Sequence, residues 1–183
     1  FDEVTSEMRS AAKAVNFGIV YGISDFGLAR QLGISRKEAA RYIELYFMRY
    51  PGVHTYLKGC VERAKQQGAA TTLFGRRREM PELKSSNYNT RSFGERVAMN
   101  MPIQGTAADI IKLAMVRVHN ELKARGMKSE LILQIHDELI IDAVQEEADA
   151  AAEILKSCME NVVNLKVPLL AEVHTGHSWF DTK

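Results

Sequence analysis

The sequence predicts an α+β fold, mostly helical, with a small antiparallel sheet towards the C-terminus. Three observations carry this. Most of the 183 residues fall into segments of helical length whose ends are marked by Ser, Gly or Pro. The stretch LILQIHDELIIDAV, residues 131–144, is instead two short apolar runs around a polar tripeptide, the pattern of a strand hairpin. Helices dominate the rest of the chain, which with one small sheet is the α+β class.

The elements follow in order. MRSAAKAVNFGIVYG, residues 8–22, reads as one helix, and ISDFGLARQLG as a short one ending near Gly33. SRKEAARYIELYFMRY opens with a Ser cap and Glu three residues later, a capping box, and stops at Pro51. GVHTYLKGCVERAKQQG is a helix closed by Gly68. ATTLFGRRREMP has β-branched residues, a glycine and a basic run, and predicts a hairpin or extended loop. KSSNYNTRSFGERVAMNM passes from a polar turn into a helix broken by Pro102. TAADIIKLAMVRVHNELKARG is a long amphipathic helix ending at Gly126. After the hairpin, EEADAAAEILKSCMENVVN is a helix with acidic residues in its first turn, as the helix dipole favours. PLLAEVHTG, residues 168–176, predicts a last strand, and Trp179 a packing anchor.

Composition bounds the function. Hydrophobic residues are 46% and charged residues 26% of the chain, ordinary for a globular domain with a real core. No run approaches the ~18 apolar residues of a membrane span, and no basic-then-apolar leader suggests secretion. Cys60 and Cys158 lack metal-ligand spacing, so a reduced, intracellular protein is expected. His54, His119, His174 and His177 show no ligand spacing either. Residues 1–100 carry a net charge of +6 and residues 101–183 carry −5. The basic half suits a polyanion and the acidic half a metal; two plainly solvated surfaces fit the same numbers.

Within the first helix, Arg9, Lys13, Phe17 and Tyr21 recur every four residues. A step of four drifts by only ~40°, so they form one stripe about 18 Å long. Ala11, Val15 and Ile19 make a second, apolar stripe that suits the core. Two cations followed by two rings match a ligand with phosphates at one end and a base at the other, such as a nucleoside triphosphate. The same spacing also fits solvated cations with rings packed on a neighbouring helix. Arg96, Asn100 and Gln104 repeat the spacing, with Pro102 kinking the last step. All three can donate hydrogen bonds, and the minor groove offers acceptors at every base pair. An ordinary polar helix face is the alternative. Asp137 and Glu138 lie at the tip of a hairpin whose strands are apolar at nearly every residue, which predicts burial on both faces and a rigid support for the two carboxylates. Mg²⁺ is usually held by one or two carboxylates plus substrate phosphates; an ordinary solvated acidic turn is the alternative.

The pattern R-x-x-x-K-x-x-x-N-F-G-x-x-Y-G, from Arg9 to Gly22, resembles the fingers-helix motif of family A DNA polymerases. QIHDE, residues 134–138, is similar to that family's His-Asp-Glu motif, with Ile135 where Val is common, and ERVAMNMPIQGTAADIIK resembles its minor-groove segment. The resemblance covers nearly the whole chain. It implies a fingers portion over about residues 1–70 and part of a palm over about 71–183. It implies triphosphate binding by Arg9 and Lys13, with Lys13 also as general acid to pyrophosphate. Phe17 would pack on the sugar, where it disfavours nucleotides lacking a 3′-hydroxyl, and Tyr21 would lie near the templating base. Asp137 would bind metal with Glu138 assisting, and His136 would lie near the primer terminus. Arg96, Asn100 and Gln104 would contact the minor groove. Arg76, Arg77 and Arg78 follow Gly75 in a loop suited to backbone phosphates. Ser10 stands where many relatives have a second Arg.

The activity so implied is template-directed DNA synthesis with two Mg²⁺ ions, about 4 Å apart in such sites. The implied partners are primer–template DNA and dNTP, with no membrane, for a monomer in the bacterial cytoplasm. The family's second metal-binding aspartate lies in a strand motif upstream of the fingers helix. Asp2 has the wrong context for it, so these 183 residues alone are expected to be inactive. Two rivals are a single-subunit RNA polymerase and a non-catalytic nucleic-acid-binding module. Asn16-Phe17-Gly18 and Glu138 argue against the first, and the intact catalytic-type residues against degeneration to the second.

Overall fold

The computed structural model describes residues 3–182, in two compact units, one up to Gly105 and one from Thr106 onward. Asp2 lies outside the described residues.

The first unit holds α1 (Ser6–Val20), α2 (Asp25–Leu32), α3 (Arg36–Arg49) and α4 (Pro51–Gln67). Antiparallel strands β1 (Ala69–Thr71) and β2 (Arg77–Glu79) follow, and then α5 (Tyr88–Asn100). Short polar side chains start the helices: Thr5 accepts from the Met8 amide, Ser24 from Gly27, Ser35 from Glu38, and Asn87 from Asn89 and Thr90. Gly33 and Gly68 end α2 and α4 in the left-handed conformation (φ 67° and 68°), which costs a residue without Cβ nothing. Ala64, Ala70, Met80, Leu83 and Ala98 form the core between α4, β1 and α5. A Cβ on Gly94 would sit 2.9 Å from Glu82 Cβ and 3.2 Å from the Leu83 amide, so α5 packs there at backbone distance.

Pro102 does not break the helical winding, contrary to expectation. Residues Met101–Gly105 form one π turn directly after α5. Proline has no amide hydrogen for the α-helical bond and its ring crowds the preceding turn; the wider π turn accommodates both.

The second unit holds α6 (Thr106–Ala124), β3 (Glu130–Ile135), β4 (Glu138–Asp142) and α7 (Ala148–Glu160). On α6, Ile111, Ala114, Val118 and Leu122 make one buried stripe that meets Ala151, Ile154 and Cys158 of α7 and Leu139 of β4. Burial of each of the larger side chains contributes about 1.5–3 kcal/mol. Cys60 and Cys158 are both buried and free, consistent with the absence of a disulfide framework in the sequence.

Two sequence expectations are corrected here. The β3–β4 hairpin is not buried on both faces: Leu139 is enclosed, but Ile132 is 59% and Leu133 44% exposed. The sheet has only two strands among the described residues, so packing against α6 and α7 covers one face. Residues 168–176 form no strand; they run as irregular chain, tied by the Ala171 amide to Glu160 Oε1 at 3.0 Å. Trp179 is 40% exposed, in a short 3₁₀ turn (Trp179–Thr182).

Candidate functional site

On α1 the apolar stripe turns inward and the other turns out. Ile19 is buried and Ala11 and Val15 are half-buried, whereas Arg9, Lys13, Phe17 and Tyr21 are all exposed. The Phe17 and Tyr21 rings stack on each other, with centroids 6.3 Å apart and planes at 20°, and Lys13 Nζ lies 5.9 Å from the Phe17 centroid. Phe17 stays 50% and Tyr21 44% exposed, so the rings are not spent on packing against a neighbouring helix. Beside them opens a hollow of about 550 Å³, walled by Phe17, Gly18, Tyr21, Gly22, Gln31 and Arg96.

The end of α1 decides where Tyr21 sits. The Gly22 amide bonds to the Ile19 carbonyl at 3.0 Å and the Ile23 amide to the Gly18 carbonyl at 2.8 Å, a Schellman motif. Gly22 adopts φ 74°, as this motif requires. Ile23 folds back so far that a Cβ on Gly18 would lie 2.9 Å from its Cγ2. A Cβ on Gly22 would lie 2.6 Å from Met99 Cε and 3.1 Å from Arg96 Cγ, so this glycine lets the end of α1 close onto α5. A long contact, Asn100 Nδ2 to the Tyr21 carbonyl at 3.5 Å, spans the same junction.

This closure brings Tyr21 beside residues 57 or more positions further along the chain. Tyr21, Arg78, Arg96, Asn100 and Gln104 line one cleft of about 400 Å³. The π turn carries Gln104 and packs on the small hairpin, since a Cβ on Gly105 would lie 2.6 Å from Thr72 Cγ2. Alternation along β2 then separates the arginines. Arg78 faces the cleft, 3.8 Å from Glu82. Arg77 does not line it; its guanidinium is engaged by Glu79 at 2.8 Å and by the Gln67 carbonyl at 3.2 Å. Arg76 stands in the turn, with its amide on Thr72 Oγ1. Arg96 donates to Ser92 Oγ at 3.2 Å.

In the second unit His136 and Asp137 form the two-residue turn of the β3–β4 hairpin, and Glu138 is the first residue of β4, paired with Ile135. All three are exposed. His136 takes φ 52°, uncommon for a residue other than glycine, and its carbonyl accepts from Gln134 Nε2 at 2.9 Å. At the far end Glu147 clamps the hairpin. Its carboxylate accepts from the Ser129 hydroxyl at 2.7 Å and from the amides of Ser129 and Lys128, while Ser129 Oγ accepts from the Val144 amide. The Ser129 hydroxyl bond, followed by the two amides, lowers the Glu147 pKa below its ordinary value. Among the described residues no three His, Cys, Asp or Glu side chains converge as a metal cluster. Asp137 and Glu138 do offer two successive exposed carboxylates, which fits an ion that takes few protein ligands and keeps water and phosphate oxygens.

Two residues escape sequence reading. Tyr46 on α3 donates to Asn16 Oδ1 at 2.8 Å, beside Phe17. Glu147 closes the β3–β4 hairpin. Neither lies in a periodic pattern, and no local signal marks their partners. That Arg77 and Arg78 lie on opposite sides of β2 could have been read from strand alternation. His54 stacks on Phe47 at 4.3 Å, a structural role.

The family model for DNA polymerase family A matches residues 1–181. DNA polymerase I of Caldicellulosiruptor bescii is 58% identical over 181 residues, 99% of this chain and 21% of that protein. DNA polymerase I of Bacillus caldotenax is 54% identical and that of Bacillus subtilis 53%, each over 182 residues, again 21% of the relative. The chain thus spans about a fifth of the length of the curated relatives it matches. A solved structure of the POL domain of Pol1 from M. smegmatis, in complex with DNA primer-template and dNTP, superposes with a TM-score of 0.94 at 45% identity, covering 99% of this chain and 32% of that one.

Proposed function

The chain belongs to DNA polymerase family A, and from that premise we propose that it supplies the fingers and part of the palm of an enzyme for template-directed DNA synthesis. The fingers take up about residues 1–70 and the palm portion about 71–183. The observation that carries the reading is the meeting, at Tyr21, of the exposed cation–ring stripe with the cleft of hydrogen-bond donors. A dNTP would lie along the stripe, with its triphosphate on Arg9 and Lys13, its sugar on Phe17 and its base towards Tyr21. Arg96, Asn100 and Gln104 would donate to the minor groove of the primer–template, which holds any correctly shaped pair without reading sequence. Arg78 would meet a backbone phosphate from the other wall of the cleft, with Arg76 and Arg77 nearer the outer edge.

Lys13 would give a proton to the leaving pyrophosphate, and His136 would lie near the primer end. Asp137, with Glu138 beside it, would hold Mg²⁺, which when bound stabilises developing charge on the transferred phosphoryl group. A second aspartate would come from a segment outside these residues, since the relatives are about five times longer. A monomer in the bacterial cytoplasm completes the reading.

The test is Asp137→Asn in the full-length protein, assayed by single-nucleotide primer extension. The change keeps shape and removes a charge. Turnover is expected to fall by orders of magnitude while primer–template affinity holds. Near-normal turnover would return Asp137 to an ordinary solvated turn.

A further inference from the structure

The stripe on α1 has to point in a definite direction to grip a nucleotide, yet its four side chains are all exposed and none is fixed by burial. The direction depends on how α1 is rotated about its own axis. Ile19 and Gly22 restrain that rotation near the C-terminal end. One hydrogen bond restrains it in the middle, from Tyr46 Oη on α3 to Asn16 Oδ1 at 2.8 Å. Asn16 is the residue before Phe17 and lies 100° from it around the helix.

Tyr46 is well placed to serve as a fixed post. Its ring contacts Phe47, edge-on at 5.9 Å and 79°, and Tyr50, at 5.0 Å. Phe47 in turn stacks on His54 in the first turn of α4 at 4.3 Å. The hydroxyl is thus held by an aromatic group anchored on two helices. Its acceptor, by contrast, is the short side chain of a helix whose outer face is in water.

We propose that Tyr46 is a positioning residue for the nucleotide site: its bond to Asn16 sets the rotation of α1 and so the direction in which Lys13 and Phe17 point. The inference rests on the nucleotide reading of the stripe. A helix with its side chains is about 10–12 Å across, so a rotation of about 10° moves a ring by about 1 Å. Displacements of that size in a reacting complex can cost up to about 100-fold in rate.

The test is a double-mutant cycle in the full-length protein, read by the KM and kcat of single-nucleotide incorporation, the primer–template Kd and the melting temperature. Tyr46→Phe keeps the ring and loses the donor. It is expected to raise the KM for dNTP about 3- to 10-fold, the range of one hydrogen bond, with DNA affinity and melting temperature unchanged. Asn16→Leu should show the same defect. The pair together should be no worse than either alone, because the same bond is removed. Asn16→Asp retains an acceptor and should behave like the parent. Additive effects, a lowered melting temperature with KM unmoved, or a defect in Asn16→Asp equal to that of Asn16→Leu would overturn the positioning role while leaving the polymerase reading intact. A parent protein that incorporates no nucleotide would overturn both.

Discussion

The two neighbouring arginines of β2 should differ in what they contribute to DNA binding. Arg78 faces the cleft, and its closest carboxylate, Glu82, is 3.8 Å away, a loose and partly solvated pair. Arg77 is held on Glu79 at 2.8 Å and on the Gln67 carbonyl. Only Arg78 is therefore free to replace a phosphate counterion without first breaking a tight pair. Each phosphate neutralised on duplex DNA contributes about 0.9 to the slope of log K against log salt. If counterion release is its whole contribution, Arg78→Ala should weaken binding about 15-fold at 50 mM salt and about 4-fold at 200 mM, a ratio of about 3.5. Arg77→Ala should change neither affinity nor slope by more than about 2-fold, as for a screened surface pair. The assay is fluorescence anisotropy of a labelled primer–template with the full-length protein across a salt series. Equal slopes for the parent and Arg78→Ala would refute the argument, as would a larger slope change for Arg77→Ala.

Two other expectations test other parts of the molecule. Phe17→Tyr should accept dideoxynucleotides far better with little change for normal ones, since under the proposed placement of the half-exposed ring on the sugar a hydroxyl there can stand in for the missing 3′ group; the ratio of kcat/KM for the two substrates measures this, and an unmoved ratio would mean the ring does not face the sugar. Glu147 has a pKa depressed below its ordinary 4.5 in the folded chain, so its carboxylate stabilises the fold above that value and the contribution is lost as pH falls towards the folded pKa. Glu147→Gln should accordingly melt lower than the parent at pH 7, and the gap should close as the pH falls below 4.5; a gap independent of pH would remove the carboxylate from the account.

Local chemistry in the chain sufficed for much of this protein. Ser35 with Glu38, and the glycines at 33 and 68, mark helix ends because caps and left-handed turns are satisfied within a few residues. The four-residue spacing of Arg9, Lys13, Phe17 and Tyr21 defines a stripe whatever α1 packs against. Long motifs sufficed for the family. The tertiary structure decided what those patterns left open. It kept the helix winding through Pro102 as a π turn, opened one face of the β3–β4 hairpin, and left residues 168–176 without a strand partner. It also sorted Arg78 into the cleft and Arg77 onto Glu79, and joined Tyr46 to Asn16 across 30 residues. Helix ends and periodic faces are set by hydrogen bonds and side-chain directions within one or two turns, so neighbouring residues encode them. The burial of a strand face, or the partner of a guanidinium, depends on which distant surface arrives beside it, and neighbouring residues do not encode that.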